Sequence, residues 1–350
     1  IANQKIDDRI ERLKELRKLE LVNSNERTLQ DGEVRIKVIS CAICGSDIRI
    51  YNYGNSRIKL PKVIGHEVVG EIIEVSESCN LNIGDICCFA ADLPCTDPNC
   101  KYCSKGEFSS CDENLAVGYQ YDGGFAETMI IPKQCWERGS FAIVNKQKTI
   151  EDYYKYSLVE PLACAIHGVD RLNVTSEDDV FIFGGGPIGL MIGDVCYNRN
   201  CKSVTILEPN ETRVNLIKKL FPEFKVITNI SEVNQEYDVI FTANSVPVCH
   251  KQAIEIASKN ARINLFGGLG KSELCEVDTN KIHYKELVVT GTHGCGKKDF
   301  DKSFKMVQDN QINLNKYITK IYDLKDINEA FESAKDLNNL KILISCSQLQ

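Results

Sequence analysis

The amino-acid sequence predicts an α/β protein in which a mostly-β portion is combined with a doubly wound parallel sheet. Three features support this fold class. Glycines and short alternating strands dominate the first 130 residues, strands and helices alternate after about residue 150, and a glycine-rich turn joins one of those strands to the next helix. At 350 residues, the chain is long enough for two domains of ordinary size.

The first portion is predicted to be rich in strands. Residues 33–39 and 67–75 alternate apolar and polar side chains and contain many β-branched residues, which is typical of strands. The N-terminal segment is ambiguous, because its apolar residues have near-helical spacing while residues 18–22 equally fit a strand. The residues with this spacing are Ile6, Ile10, Leu13, Leu16 and Leu19.

The second portion alternates strands with helices, as a doubly wound sheet requires. We predict a Rossmann domain at residues 151–292 and a second domain built from residues 1–150 and 293–350. The predicted strands are 179–183, 203–207, 237–242, 261–266 and 287–290, and the predicted helices are 187–198, 211–220 and 248–258. Helices near 300–309 and 327–336 precede a last strand at 341–345.

Composition and charge argue against several classes of function. The contents of 43% apolar and 26% charged residues are those of a globular protein. The net charge of −7 and the dispersed basic residues disfavour a nucleic-acid surface or an anionic membrane. The sequence has no recognisable signal peptide, and its longest apolar stretch, residues 180–193, is short and interrupted by glycine. We therefore expect a cytoplasmic protein whose 17 cysteines are mostly reduced.

Four cysteines within one short stretch have the spacing of a structural zinc site. Thiolates so close in sequence can form a closed tetrahedral shell, which leaves no coordination position for a substrate. The four residues are Cys95, Cys100, Cys103 and Cys111.

A second set of metal-binding side chains is mixed in type and widely spread along the chain. Cys44, His66, Glu67 and Glu160 combine a thiol, an imidazole and carboxylates over more than a hundred residues. Catalytic zinc sites are usually built in this way, with three protein ligands and one open position. Taken alone, each of these residues is weak evidence, since a single buried histidine is more often structural.

A glycine-rich turn predicts a dinucleotide site in the second portion. Gly184-x-Gly186-x-x-Gly189 follows a predicted strand and begins a predicted helix, whose N-terminal N–H groups can bind a pyrophosphate. Glu208 ends the next strand, where a carboxylate can accept hydrogen bonds from ribose hydroxyls and repel an additional phosphate. We therefore predict NAD rather than NADP.

With these motifs in this order, the sequence resembles the zinc-containing medium-chain alcohol and polyol dehydrogenases, and within them the bacterial sorbitol dehydrogenase group. The resemblance extends over nearly the whole chain except about the first twenty residues. It is carried by CAICGSDI, IGHEVVGEI, GYQYDGGFAE, VEPLACAIHG, FGGGPIGLM, INLFGGL and IHYKELVVTGTHG. It implies a GroES-like catalytic domain that binds a catalytic and a structural zinc, beside the Rossmann domain.

The resemblance also implies roles for individual residues. Cys44 and His66 match zinc ligands, Glu160 matches a ligand that binds directly or through water, and Glu67 matches a neighbouring carboxylate that can approach the metal. Ser46 matches the hydroxyl that begins a proton relay from the substrate oxygen. Residues matching the cofactor-binding positions are Gly184, Gly186, Pro187, Ile188, Gly189, Glu208, Arg213, Gly268 and Leu269.

Two positions depart from the family pattern. Four residues separate Cys95 from Cys100, where the family usually has two. Arg49 stands where many relatives have histidine, and a guanidinium stays protonated, so it cannot be the base that ends a proton relay. We hypothesise that Arg49 binds a cofactor phosphate or an anionic group of the substrate, although a salt bridge at the rim of the site would explain it equally well.

The leading interpretation is an enzyme that transfers hydride between NAD and a secondary alcohol, or the corresponding ketone, of a polyol, cyclitol or related sugar. A threonine-type amino-alcohol dehydrogenase shares most of these motifs. An alternative of another class is a non-catalytic zinc-binding protein. We expect a homodimer or homotetramer with a small-molecule substrate, and no nucleic-acid or membrane partner.

Overall fold

The computed structural model describes residues 7–15, 17–25, 27–270 and 272–346. The chain divides into two compact units. One unit contains the described residues up to Ala163 together with those from Cys295 onward, and the other is Cys164–Gly294. None of the described helices is both long enough and apolar enough to cross a bilayer.

Strands and helices have the following bounds. The strands are β1 Asp7–Glu15, β2 Lys18–Asn25, β3 Val34–Ala42, β4 Glu67–Val75, β5 Ile86–Phe89, β6 Asp92–Leu93, β7 Leu115–Ala116, β8 Thr128–Ile131, β9 Phe141–Val144, β10 Asp179–Phe183, β11 Ser203–Leu207, β12 Lys225–Ile227, β13 Tyr237–Thr242, β14 Ala257–Leu265, β15 Val288–Gly291, β16 Ile318–Asp323 and β17 Lys341–Ser345. The α-helices are α1 Gly45–Tyr53, α2 Lys133–Glu137, α3 Val159–Arg171, α4 Pro187–Asn198, α5 Glu211–Leu220, α6 Pro247–Glu255, α7 Thr279–Tyr284, α8 Lys297–Gln308 and α9 Ile327–Ser333.

The first unit is built on a seven-stranded sheet in the order β16-β17-β3-β4-β5-β9, with β8 paired to β3. Strand β3 carries apolar side chains at six of its nine positions and is buried at eight of them. Because β17 and β4 both pair with β3, Leu343 and Glu67 lie opposite the same residue, Ala42. The start of β4, the start of β17 and the end of β3 therefore meet at one edge of the sheet.

The second unit is a six-stranded, fully parallel sheet in the order β12-β11-β10-β13-β14-β15. Counted along this unit, the order is 3-2-1-4-5-6, which is that of the dinucleotide-binding doubly wound fold. Phe181 lies at its centre, fully buried, with its ring centre 4.8 Å from those of Phe183 and Tyr237. The predicted fold class is confirmed.

The N-terminal segment forms a hairpin. Residues of β1 pair antiparallel with β2 from Asp7 opposite Asn25 to Glu15 opposite Lys18, so the helical interpretation of Ile10 and Leu13 is wrong and the strand interpretation of 18–22 is right. Ile6 and Leu16 lie outside the described residues. Leu19 determines which face of the hairpin packs inward, because it is buried in the core of the first unit. Such packing outweighs the intrinsic helix preference of the segment.

We expect Phe181→Ala to lower the free energy of unfolding by about 3–5 kcal/mol, because it removes a large buried ring from the centre of the parallel sheet. Chemical denaturation followed by circular dichroism measures the change. The matched control is Leu274→Ala, since Leu274 is 90% exposed and should change stability by less than about 0.5 kcal/mol. Equal effects of the two substitutions would contradict the assignment of this core.

Candidate active site and metal centres

The connection between β3 and α1 places a thiol at a helix N-terminus. Cys44 is the N-cap residue of α1, and its backbone N–H donates to the Asp47 carboxylate at 2.9 Å. Asp47 is fully buried and in the first turn of the helix, where a negative charge is favoured by the helix dipole. This local bond fixes the direction in which the helix leaves the sheet.

His66 and Glu67 enter the same site from the beginning of β4. The ligand atoms of Cys44, His66 and Glu67 all lie within 4.8 Å of one another. His66 Nδ1 is 3.5 Å from Asp47 Oδ1, and the ring is buried. Burial acts to lower the pKa of His66, but the negative charge of Asp47 and the neighbouring Cys44 outweigh it and raise the pKa. The carboxylate thus orients the imidazole, as acidic partners of metal-bound histidines do.

A buried lysine, Lys341, neutralises the charge of Glu67. Lys341 Nζ donates to both carboxylate oxygens of Glu67, at 2.5 and 2.6 Å, and both residues are almost completely buried. The charge of Glu67 raises the pKa of Lys341 against the opposing effect of burial, so the lysine stays protonated. Lys341 was missed in the sequence. The available signal was a charged residue directly before the apolar run of the last strand.

Glu160 lies in the first turn of α3 and is partly buried. It does not belong to the group formed by Cys44, His66 and Glu67. It is nevertheless close enough for His66, Glu67 and Lys341 to affect its pKa. Desolvation is the largest influence and raises the pKa of Glu160 to about 7. The cation that the other ligands would hold favours its ionised form.

Ser46 and Arg49 both belong to α1. Ser46 Oγ is buried and has no hydrogen-bond partner in the described part of the chain. The Tyr119 ring lies beside the site, 6.1 Å from the imidazole centre of His66. Burial raises the pKa of Tyr119, while its nearness to His66 and Ser46 acts in the opposite direction. Arg49 is exposed one turn after Ser46, and no described residue pairs with it.

The second candidate metal centre is the cysteine lobe, defined as residues 92–116 and closed at its base by the pairing of β6 with β7. The sulfur atoms of Cys95, Cys100, Cys103 and Cys111 lie within 4.8 Å of one another, and those of Cys100 and Cys111 are 3.7 Å apart. Backbone N–H groups of Cys103 and Tyr102 lower the pKa of the Cys100 thiol to about 7. Burial raises the pKa of Cys103 to about 12.

Both donor sets fit zinc. Four sulfurs bound at about 2.3 Å in a tetrahedron lie roughly 3.8 Å apart. The Cys100–Cys111 pair, at 3.7 Å, has this spacing, and all four sulfurs lie within 4.8 Å of one another. The additional residues between Cys95 and Cys100 therefore leave the four sulfurs together. The other set offers a sulfur, an imidazole nitrogen and a carboxylate oxygen beside an unpartnered buried hydroxyl, Ser46 Oγ, as a catalytic zinc site with an open position requires.

The glycine-rich turn lies between β10 and α4 in the second unit. A Cβ at Gly189 would overlap the carbonyl oxygen of Gly184, so only glycine permits the helix to pack this close. Gly186 is the N-cap of α4, and a Cβ there would meet no atom within 4 Å, which leaves the N–H groups of the helix start accessible. Pro187 and Ile188 then begin the helix.

Glu208 is held beside this turn. Its Oε2 accepts from Gly185 N at 3.1 Å and its Oε1 from Asn210 N at 3.0 Å. Arg213 is buried in the first turns of α5. Gly268 and Leu269 follow β14, and a Cβ at Gly268 would also meet open space. The predicted cofactor residues of this unit thus lie at the carboxyl ends of its strands or on the adjoining helices.

A GroES-like sheet with this donor set and a Rossmann unit define a zinc-binding dehydrogenase. Family models support both parts: the alcohol dehydrogenase GroES-like domain matches residues 30–138, and the zinc-binding dehydrogenase domain matches residues 187–309. Together they match more than half of the chain.

Individual relatives agree with the family models. The chain is 27% identical to an L-threonine 3-dehydrogenase from Shewanella oneidensis, over 96% of this chain and 98% of that protein. It is 25% identical to a sorbitol dehydrogenase from Halalkalibacterium halodurans, over 91% and 93%. Among solved structures it matches a short chain alcohol dehydrogenase from Escherichia coli CFT073 in complex with NADH, with a TM-score of 0.86, 27% identity and coverage of 97% and 100%.

The chain belongs to the zinc-containing medium-chain alcohol and polyol dehydrogenases, and it is an NAD(P)-dependent alcohol dehydrogenase. The predictions of the family, of an enzyme, and of zinc and a nicotinamide cofactor are confirmed. The same findings favour an enzyme over a non-catalytic zinc-binding protein.

We expect Cys103→Ser to remove one zinc per chain, because oxygen replaces one of the four sulfurs of the cysteine lobe. Mass spectrometry of the purified protein should find two zinc ions per chain in the wild type and one in the variant. Cys79→Ser is the matched control, since Cys79 belongs to neither donor set, and it should retain both ions. Retention of both ions by the Cys103 variant would argue against the lobe as a zinc site.

We expect Lys341→Met to lower the free energy of unfolding by about 3–5 kcal/mol, because Glu67 would be left buried without its counter-charge. Chemical denaturation measures the loss. The control Lys320→Met, on the exposed neighbouring strand β16, should cost less than about 0.5 kcal/mol. The double variant Glu67→Gln/Lys341→Met should recover part of the loss, and no recovery would exclude the buried charge as its cause.

Proposed function

We propose that this enzyme oxidises a secondary alcohol of a polyol, cyclitol or related sugar, and reduces the corresponding ketone, with NAD as the hydride carrier. The observation that carries the proposal is the convergence of Cys44, His66 and Glu67, with ligand atoms within 4.8 Å, beside the buried and unpartnered hydroxyl of Ser46.

In this proposal, Cys44 and His66 bind the catalytic zinc, and Glu67 and Glu160 supply carboxylates at the metal. When bound, zinc supplies a Lewis acid for the substrate oxygen and NAD supplies the hydride acceptor. The surrounding residues keep the ligands in place: Asp47 orients His66, and Lys341 holds both oxygens of Glu67. A carboxylate at Glu160, where other branches of the family have cysteine, supports the polyol branch.

We assign to Ser46 the first proton transfer from the substrate hydroxyl. Its Oγ forms no hydrogen bond of good geometry in the described residues, with the Tyr119 hydroxyl close by, so it can exchange a proton with a substrate hydroxyl. Arg49 cannot accept the proton further along, because its guanidinium remains charged. With the cofactor bound, its ribose hydroxyls or a water molecule would supply the next proton acceptor.

NAD is proposed over NADP because of Glu208. Its carboxylate is fixed by the backbone of Gly185 and Asn210, directly beside the glycine-rich turn. Held there, it favours the two ribose hydroxyls of NAD and repels the additional phosphate of NADP. Neither Pro209 nor Asn210 offers a cation to such a phosphate.

A threonine-type dehydrogenase is the second candidate, since relatives with that name align with 96% of this chain. Such an enzyme must accept a zwitterion, so activity on L-threonine without activity on neutral polyols would favour it.

We also propose a homodimer or homotetramer, because the edge strand β15 leaves Val288 55% exposed and Val289 37% exposed. Light scattering of the purified protein measures the assembly.

The proposed function is tested by NAD reduction with neutral polyols, cyclitols, phosphorylated sugars and L-threonine, with and without a zinc chelator. We expect chelator-sensitive activity on at least one member of the first three groups. Activity on L-threonine alone would replace the polyol assignment with the second candidate. No NADH formation from any of them by the zinc-loaded protein would sink the proposal.

We expect Ser46→Ala to lower kcat by about 10²–10⁴-fold, because the first proton acceptor is lost. Ser40→Ala is the matched control: Ser40 Oγ, in β3, is equally buried and equally without a partner in the described residues, yet it is not assigned to the site. Its steady-state kcat should stay within about twofold of the wild type. If both variants kept full activity, Ser46 would not be part of the relay.

A further inference from the structure

Arg57 lies beside the proposed active site without a carboxylate partner. Its guanidinium carbon is 5.3 Å from the centre of the Tyr119 ring, and its Nη2 donates to Asn114 Oδ1 at 3.1 Å. Across the ranges that the structure describes, no aspartate or glutamate forms an ion pair with this half-buried arginine. An arginine held by a neutral amide and an aromatic face retains its full charge for another group.

Contacts on two sides place Arg57 near the proposed metal ligands. Its guanidinium lies against the Tyr119 ring, whose centre is 6.1 Å from the imidazole centre of His66. On the other side, Asn114, which accepts from Arg57, donates through Nδ2 to Asp92 Oδ1 at 2.8 Å. Arg57 therefore shares a neighbour, Tyr119, with His66.

These contacts also fix the orientation of the Arg57 guanidinium. Because Asp92 accepts from the amide nitrogen of Asn114, the amide oxygen is directed at the guanidinium. That oxygen takes one of the five N–H donors of an arginine. The planar fork of the remaining donors matches the oxygen atoms of a carboxylate or a phosphate.

A further cation beside the ligands favours an anionic substrate. Asp92 places a carboxylate in this region, where it accepts from the Asn114 amide, and Lys341 is already bonded to both oxygens of Glu67. A positively charged group that is not already bonded to a carboxylate stabilises an anion beside such residues. Arg57 is placed to supply that charge.

We propose that Arg57 binds an anionic group of the substrate, a carboxylate or a phosphate, so that the enzyme acts on a sugar acid, a sugar phosphate or a comparable hydroxy acid in preference to the neutral polyol. This assignment rests on the proposed function and narrows its substrate class. It differs from the sequence-based hypothesis for Arg49, which is exposed on α1 and has no second residue directing it toward the ligands.

The test compares matched substrates that share a carbinol and differ in charge: xylonate with xylitol, sorbitol 6-phosphate with sorbitol, and L-threonate with L-threitol. The wild type should have a kcat/KM at least tenfold higher for the anionic member of one pair. Arg57→Met should lower that value about 10–100-fold, mainly through KM, because a charged hydrogen bond is lost. The kcat/KM for the neutral member of the pair should stay within about twofold of the wild-type value. Arg57→Lys should restore part of the loss for the anionic member.

Lys59→Met is the matched control, because Lys59 is an exposed cation in the same loop, and it should leave all six values unchanged. Arg49→Met is measured in parallel. A preference for the neutral member in all three pairs would overturn the proposal. So would an equal loss for both members in Arg57→Met, which indicates a structural role, or a loss of the anionic preference in Arg49→Met instead.

Direct binding separates this proposal from the proposed function. If none of the six compounds is oxidised, the proposed function fails, and calorimetry then decides the role of Arg57. Xylonate should bind the zinc-loaded wild type at least tenfold more tightly than xylitol, and the difference should disappear in Arg57→Met. Equal binding of the two compounds to the wild type would overturn the assignment.

Discussion

The buried ion pair between Glu67 and Lys341 is the constraint on which the proposed active site depends. The two residues are 274 positions apart in sequence and begin the two strands that flank the end of β3. Neither charge could be buried there alone without a large desolvation penalty. The pairing of β17 with β3 therefore supplies the counter-charge that allows Glu67 to be buried beside Cys44 and His66.

The other two members of the group share one buried carboxylate. Asp47 accepts from the backbone of Cys44 and lies 3.5 Å from the imidazole nitrogen of His66, where its charge favours a donor nitrogen on that side of the ring. An acidic residue in this position is typical of metal-binding histidines. By contrast, the hydroxyl of Ser46, on the same helical turn as Asp47, is left available.

How much of this structure the sequence predicts depends on how far apart along the chain the interacting residues lie. Local signals predict the parallel sheet, the glycine-rich turn and the cysteine lobe, because strand alternation, tight turns and short cysteine spacing act over a few residues. Lys341 could not be found in this way, since only the pairing of β17 with β3 brings it to Glu67. The N-terminal hairpin was ambiguous for the same reason: its spacing fits a helix, and the burial of Leu19 decides for a strand.

Substrate selection must come from residues outside the ligand set. Relatives named for threonine and for sorbitol align over nearly the whole chain, so the fold alone does not choose between a zwitterion and a neutral polyol. Arg57 lies on the segment after α1 and contacts both Asn114 in the cysteine lobe and Tyr119 just after it. Tyr119 in turn lies beside His66. Connecting segments vary in sequence with less cost to stability than strands do, because they bury less of the core. In our proposal, a charged residue on such a segment changes which substrates are accepted, while the metal-binding side chains and the buried ion pair stay unchanged.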